Sequence, residues 1–117
     1  MNETDSFGRH GEFSPIDSTL KILNGKYKSI ILCQLMVAEK SYIEIQKSLS
    51  NCSDEILSLQ LEQLENDHII QKEIDSTSDP IKTSYQLTRL GTAIIPVINA
   101  MDAWGEMYIT AVKNNKE

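Results

Sequence analysis

The sequence predicts a mainly α-helical domain with a small β-hairpin wing, a winged helix-turn-helix that dimerises through its terminal helices. Three features predict it. Ser53 opens an amphipathic stretch in which Ile56, Leu57, Leu61 and Leu64 recur at helical spacing, just after another such segment and a short turn. Two β-rich runs, Ile69 to Ile74 and Ile81 to Leu87, flank a polar bend through Ser76-Thr77-Ser78-Asp79-Pro80. Beyond Thr88 the chain is too apolar for one small core to absorb, which calls for a second surface to cover it.

In chain order, residues 1–13 are polar and aperiodic, so a flexible tail is expected before a domain over 14–112, with a second flexible end over 113–117. Ser14 can cap the free amides of a first helix, and Pro15 at its first position forfeits no hydrogen bond. Ile16, Leu20 and Leu23 follow at helical spacing, and Asn24-Gly25 is expected to supply a left-handed residue that ends the segment. A second helix is expected from about Lys26 to Ala38, with Tyr27, Ile30, Ile31 and Leu35 turned inward and Gln34 toward water.

Ser41 with Glu44 three residues on forms a capping box for a third helix carrying Tyr42, Ile45 and Leu49. Ser50-Asn51-Cys52 leaves room only for a turn before Ser53 caps the fourth helix, whose first turn holds Asp54 and Glu55 where the helix dipole favours negative charge. Two helices so joined make a helix-turn-helix. Thr88 should cap one long last helix bearing Leu90, Ile94, Ile95, Val97, Ile98, Met101, Trp104, Met107, Tyr108 and Ile109, kinked at Pro96. That helix either wraps its own domain or meets a second copy; the expected dimer interface is Phe13, Ile16, Ile94, Ile98, Met101, Trp104 and Tyr108.

At 117 residues, 40% hydrophobic and 24% charged, the chain has one folded domain's length and composition. No apolar run approaches the ~20 residues of a membrane span and no secretory signal is evident, so a cytoplasmic location without membrane contact is expected. Cys33 and Cys52 lack CxxC spacing and are expected as thiols, inert and buried by default. Cys52 is the better candidate for a reactive thiol, because Lys47 or the amino end of the fourth helix could lower its pKa. Enzyme signatures are missing: there is no Gly-rich phosphate loop, His10 and His68 have no partner at metal-ligand spacing, and Asp54-Glu55 and Glu62-Glu65 fall on solvated helix turns. No catalytic residue, metal or cofactor is expected.

The net charge of -6 runs against a duplex binder, which needs local cations for phosphates. Lys21, Lys26, Lys28, Lys40 and Lys47 gather toward the front, whereas Ser53 to Asp67 holds Asp54, Glu55, Glu62, Glu65 and Asp67 without one Lys or Arg. Lys26, Lys28 and Lys47, with Lys82 in the wing, are the candidate phosphate anchors. Ser53, Ser58 and Gln60 could donate to DNA, Ser53 serving first as the cap. Leu59 lies about 200° from Leu57 on a helical wheel and is expected outside, as an incidental surface leucine or as a contact to a thymine methyl or a protein.

With these pieces in order, the chain resembles the HxlR family of winged-helix transcription regulators, similar in shape to the MarR group. The likeness rests on Ser14-Pro15, Asn24-Gly25-Lys26-Tyr27, Tyr42-Ile43-Glu44-Ile45, the run Leu61 to Asp67, Tyr85-Gln86-Leu87-Thr88-Arg89-Leu90-Gly91, Pro96-Val97 and Ala103-Trp104-Gly105. It spans about Ser14 to Tyr108. The resemblance implies a homodimer on a palindromic operator, the fourth helix in the major groove of double-stranded DNA and the wing beside the minor groove. Three departures stand out. Ser14 occupies the place of a cysteine that many members carry and some use for redox sensing. His68 replaces a usual glycine before the wing. Glu55, Ser58, Leu59 and Glu62 occupy a helix face where relatives often place Lys, Arg or Gln. This acidic face leaves a second reading open, an interaction module that offers the same helix to a protein partner.

Overall fold

The computed structural model describes residues 14–115; the expected tail with Phe13, and residues 116 and 117, lie outside the described residues. The order is α1 (Pro15–Leu23), α2 (Lys28–Val37), β1 (Lys40–Ser41), α3 (Tyr42–Ser48), α4 (Asp54–Asn66), β2 (Ile70–Asp75), β3 (Lys82–Leu87), α5 (Arg89–Thr92) and α6 (Ile95–Asn115). The two-residue β1 was not foreseen. It pairs antiparallel with β3, Lys40 opposite Tyr85 and Ser41 opposite Ser84, so the wing is a three-stranded sheet in the order β1-β3-β2. In the hairpin, Ile70 faces Leu87, Lys72 faces Tyr85 and Asp75 faces Lys82.

The helix starts follow the sequence signals. The Ser14 hydroxyl accepts from the Asp17 amide, and Ser53 accepts from Ile56. Ser41 and Glu44 form the full capping box, and the Ser41 backbone amide, then its hydroxyl, holds the Glu44 carboxyl below its ordinary range. One helix end differs from expectation. Asn24 closes α1 in an extended conformation (φ -77°), and among the described residues the positive φ values of non-glycine residues fall instead at Asn51 and His68.

Both of these residues make turns that set the site. Asn51 (φ 61°) lets the chain double back between α3 and α4, and its carbonyl accepts the Tyr27 hydroxyl at 3.0 Å, tying the turn to α2. His68 (φ 64°) ends α4 in a Schellman arrangement, with the Ile69 amide on the Leu64 carbonyl and the His68 amide on that of Glu65, both at 3.0 Å. The left-handed conformation that glycine adopts freely is here imposed on a histidine.

The core joins Ile31, Leu32 and Leu35 of α2 to Ile45 of α3, to Leu57, Leu61 and Leu64 of α4, and to Ile69, Ile70 and Tyr85 at the base of the wing. Ile30, expected inside, is exposed: α2 is short, and Ile31 with Leu35 already meets the core. The C-terminal segment also differs from the single kinked helix expected. Thr88 caps the short α5; its hydroxyl donates to the His68 carbonyl at 2.6 Å and accepts from the Gly91 amide at 2.9 Å. Gly91 lies so close to the sheet that an added Cβ would stand 2.0 Å from the Ile69 carbonyl oxygen. The chain then turns, and Pro96 falls at the second position of α6, where its missing N–H has no intrahelical partner to lose. Pro96 therefore begins a helix and does not bend one. α6 continues through Asn115, past the expected domain edge at residue 112.

Candidate nucleic-acid interface

α3 and the Asn51 turn hold α4 on the body by one face. Leu57, Gln60, Leu61 and Leu64 are buried, and Asp54, Glu55, Ser58, Leu59 and Glu62 are exposed, with Leu59 at 52%. A polar clasp fixes the angle between the two helices on the solvent side. The Tyr42 hydroxyl donates to Asp54 Oδ1 at 3.2 Å and lies 3.4 Å from Ser58 Oγ, and Gln46 Nε2 donates to the same carboxylate oxygen. This role of Tyr42, Gln46 and Asp54 goes beyond the apolar position that helical spacing assigns to Tyr42. Its hydroxyl, at the start of a helix that faces the acidic first turn of α4, was the available signal.

Two candidate DNA contacts are overturned. Gln60 is 8% exposed, and its Oε1 accepts the Tyr27 backbone amide at 3.0 Å. That amide stands at the start of α2, where no helical carbonyl reaches it, so Gln60 caps α2 from another helix and is turned away from any groove. The spacing Leu57, Gln60, Leu61, Leu64 already put it on the inner stripe. Lys28, expected as a phosphate anchor, is 4% exposed; its methylenes run over Gly25, so closely that a Cβ there would sit 3.0 Å from Lys28 Cγ and Cδ.

The remaining candidates stay at the surface. Lys26 is exposed with its ammonium 5.3 Å from the Tyr27 ring centre, and Lys47 is exposed in the last turn of α3. Ser53 is taken up by its capping bond. Lys82 is exposed but stands opposite Asp75, within a wing face also lined by Glu39, Glu44 and Glu73. The Thr77 hydroxyl, then its amide, holds the Asp75 carboxyl below its ordinary range. The other wing face carries Lys72 beside Tyr85, whose phenol is pushed up by burial, then by Glu65 and Tyr42.

The cysteines depart from expectation as well. Cys33 is exposed on α2, not buried, and Cys52 is half-buried with its thiol 3.6 Å from the Ser53 carbonyl. Among the described residues, no group of three His, Cys, Asp or Glu gathers as metal ligands, and no helix is long and apolar enough to cross a membrane.

α6 and α1 present a broad apolar surface. Trp104 (62% exposed) stacks on Tyr108 with ring centres 5.4 Å apart, and Met101 shares a shallow groove with Leu20 and Leu23 of α1. Ile16 is also exposed. Ile98, expected in the dimer interface, is instead buried in the subunit's own core, and Ile94 packs against that core, because the start of α6 must first cross the body.

A capped α3, a tight turn, an outward α4 and a hairpin wing define a winged helix-turn-helix. The chain belongs to the HxlR-like helix-turn-helix family, whose family model matches residues 22–113. It is 38% identical over 97 residues to the HTH-type transcriptional regulator YdeP of Bacillus subtilis (strain 168), covering 83% of this chain and 75% of YdeP. With YybR, an HTH-type transcriptional regulator of the same organism, identity is 30% over 106 residues, covering 91% of this chain and 84% of YybR. Among solved structures, the redox regulator HypR in its reduced form matches with a TM-score of 0.79 and 30% identity over 86% of this chain and 99% of HypR. The reduced form of the transcriptional regulator YodB from B. subtilis matches with a TM-score of 0.71 and 28% identity, over 80% of this chain and 92% of YodB. The protein is a transcription regulator of the helix-turn-helix type.

Proposed function

We propose that the protein is a homodimer that occupies a palindromic operator on double-stranded DNA, with α4 of each subunit in the major groove and the wing beside the adjacent minor groove. The observation that carries this reading is α4: one stripe is sealed into the core and the opposite stripe is bare, at the position where a helix-turn-helix inserts its second helix. Dimerisation is supported by the exposed Met101, Trp104, Met107, Tyr108 and Ile109 on α6 with Ile16 and Leu20 on α1, more contiguous apolar surface than a soluble monomer normally leaves bare. Lys26 and Lys47 beside the helix-turn-helix and Lys72 and Lys82 in the wing supply the phosphate contacts. Regulation then consists of equilibrium occupancy, with an effector shifting the separation of the two reading helices through α6.

Selection of bound duplexes from a random pool at moderate salt tests the reading. An enriched inverted repeat with half-site centres about 10 base pairs apart is expected. Lys47→Ala and Lys82→Ala should each reduce the salt slope by about one without altering the selected sequence. Failure to enrich any duplex would refute the reading. The second reading, a protein partner on α4, is favoured by the acidic face around the exposed Leu59. It predicts saturable binding of a basic protein that Leu59→Ser abolishes, in place of DNA binding.

A further inference from the structure

The exposed stripe of α4 has an unusual chemical content for a reading helix, and it narrows what it can read. Ser53 is taken up by its cap, and Asp54 by the Tyr42 hydroxyl and the Gln46 amide. Ser58 lies within reach of Tyr42, and Gln60 faces the core. Of the other exposed residues, Ile56 and Gln63 lie about 80–100° to one side of Glu55, whereas Glu55, Leu59 and Glu62, with Asn66 in the last turn, fall within about 40° of one line along the helix at the ~100° turn of each residue. Among the described residues no side-chain hydrogen bond engages either glutamate. The bases of a reading helix are met mainly by its N-terminal residues, which favours Glu55 and Leu59 over Glu62.

We propose that Glu55 and Leu59 set the base preference of each half-site, Glu55 accepting from the N4 amino group of a cytosine and Leu59 resting on the C5-methyl of a nearby thymine. This rests on the DNA-binding reading above and adds what the helix recognises. An ionised carboxylate only accepts hydrogen bonds. Guanine shows O6 and N7, both acceptors, in the major groove, and thymine shows the O4 acceptor, so Glu55 repels both. Adenine offers its N6 donor beside the N7 acceptor, whereas cytosine offers its N4 donor with no acceptor of its own there. Cytosine is therefore the base Glu55 tolerates best. Leu59 has no polar atom and gains only from the one methyl group in the groove. At 1.5 Å of rise per residue the two side chains stand about 6 Å apart along the helix, which keeps their bases within about two steps of each other. Affinity and specificity are thereby separated: lysines away from α4 hold phosphates, and an acceptor and an apolar side chain choose the sequence.

Duplex selection is run in parallel on the parent, Glu55→Gln and Leu59→Ala, with thermal melting to confirm that both surface variants fold. The parent should enrich a half-site containing cytosine, with thymine within two steps. Glu55→Gln should move that one position toward adenine, which Gln pairs through N6 and N7, with a change in preference of about ten-fold. Leu59→Ala should relax the thymine position by about five-fold and leave the rest. Guanine under Glu55, or an identical enriched sequence for the parent and Glu55→Gln, would overturn the assignment while leaving the DNA-binding reading intact. Recovery of no duplex by the parent would overturn both.

Discussion

Gln60→Met separates the two roles this residue can have, because methionine keeps the length and apolar stem of glutamine and deletes the acceptor. In the structure Gln60 Oε1 takes the buried Tyr27 amide at 3.0 Å. Without it that N–H is left unpaired in the interior, at a cost of about 1–3 kcal/mol. For a chain of 117 residues, an unfolding entropy of about 2.1 cal/mol/K per residue gives about 0.25 kcal/mol/K, so melting should fall by about 4–12 °C. Calorimetry at one fixed protein concentration measures the drop, since any dimer makes melting concentration-dependent. Duplex selection on the same variant should return the parental sequence. An unchanged melting temperature combined with a changed base preference would refute the inward placement of Gln60 and restore it to the reading set.

Gly91→Ala should destabilise by about 3 kcal/mol or more, read by urea unfolding, because the new methyl would meet the Ile69 carbonyl at 2.0 Å and backbone would have to move. His68→Gly should stabilise by about 1 kcal/mol in the same assay, by relieving a left-handed histidine at φ 64°. Tyr85 has a phenol pKa raised by burial, then by Glu65 and Tyr42, so in the folded state it stays neutral where the unfolded chain would ionise. Its stabilising contribution is complete below about pH 10 and is lost as pH climbs through the raised value. Tyr85→Phe should accordingly show a smaller fall in melting temperature between pH 8 and pH 10.5 than the parent.

Much of the architecture was written in local chemistry. Ser14, Ser41, Ser53 and Thr88 each announced a helix start, and each side chain makes a capping bond. The turn at Asn51 followed from the short gap between two capped helices, and the two longer wing strands from β-rich runs on either side of a polar bend. What stayed hidden depends on partners distant in sequence. β1 exists only because β3 returns beside it, and two residues carry no strand signal of their own. The break between α5 and α6 is fixed by the contact of Gly91 with Ile69, whereas Pro96 alone fits a kink or a start equally well. At the interface, Leu59 was correctly placed outside by its angle on the wheel, and the same geometry argued for Gln60 inside. Its polarity suggested the groove, but an unpaired amide 33 positions earlier decided otherwise. Lys28 reads as a surface cation until the room above Gly25 is known.

If two copies hold their α4 helices at the spacing of one DNA turn, a single distance shows it. Spin labels on Ser58→Cys, in a chain also carrying Cys33→Ser and Cys52→Ser, report the separation of the two reading helices by pulsed electron resonance. An intersubunit distance centred at about 34–36 Å, broadened by the label linkers, is expected. The absence of any intersubunit signal, or a distance below about 20 Å, would contradict it.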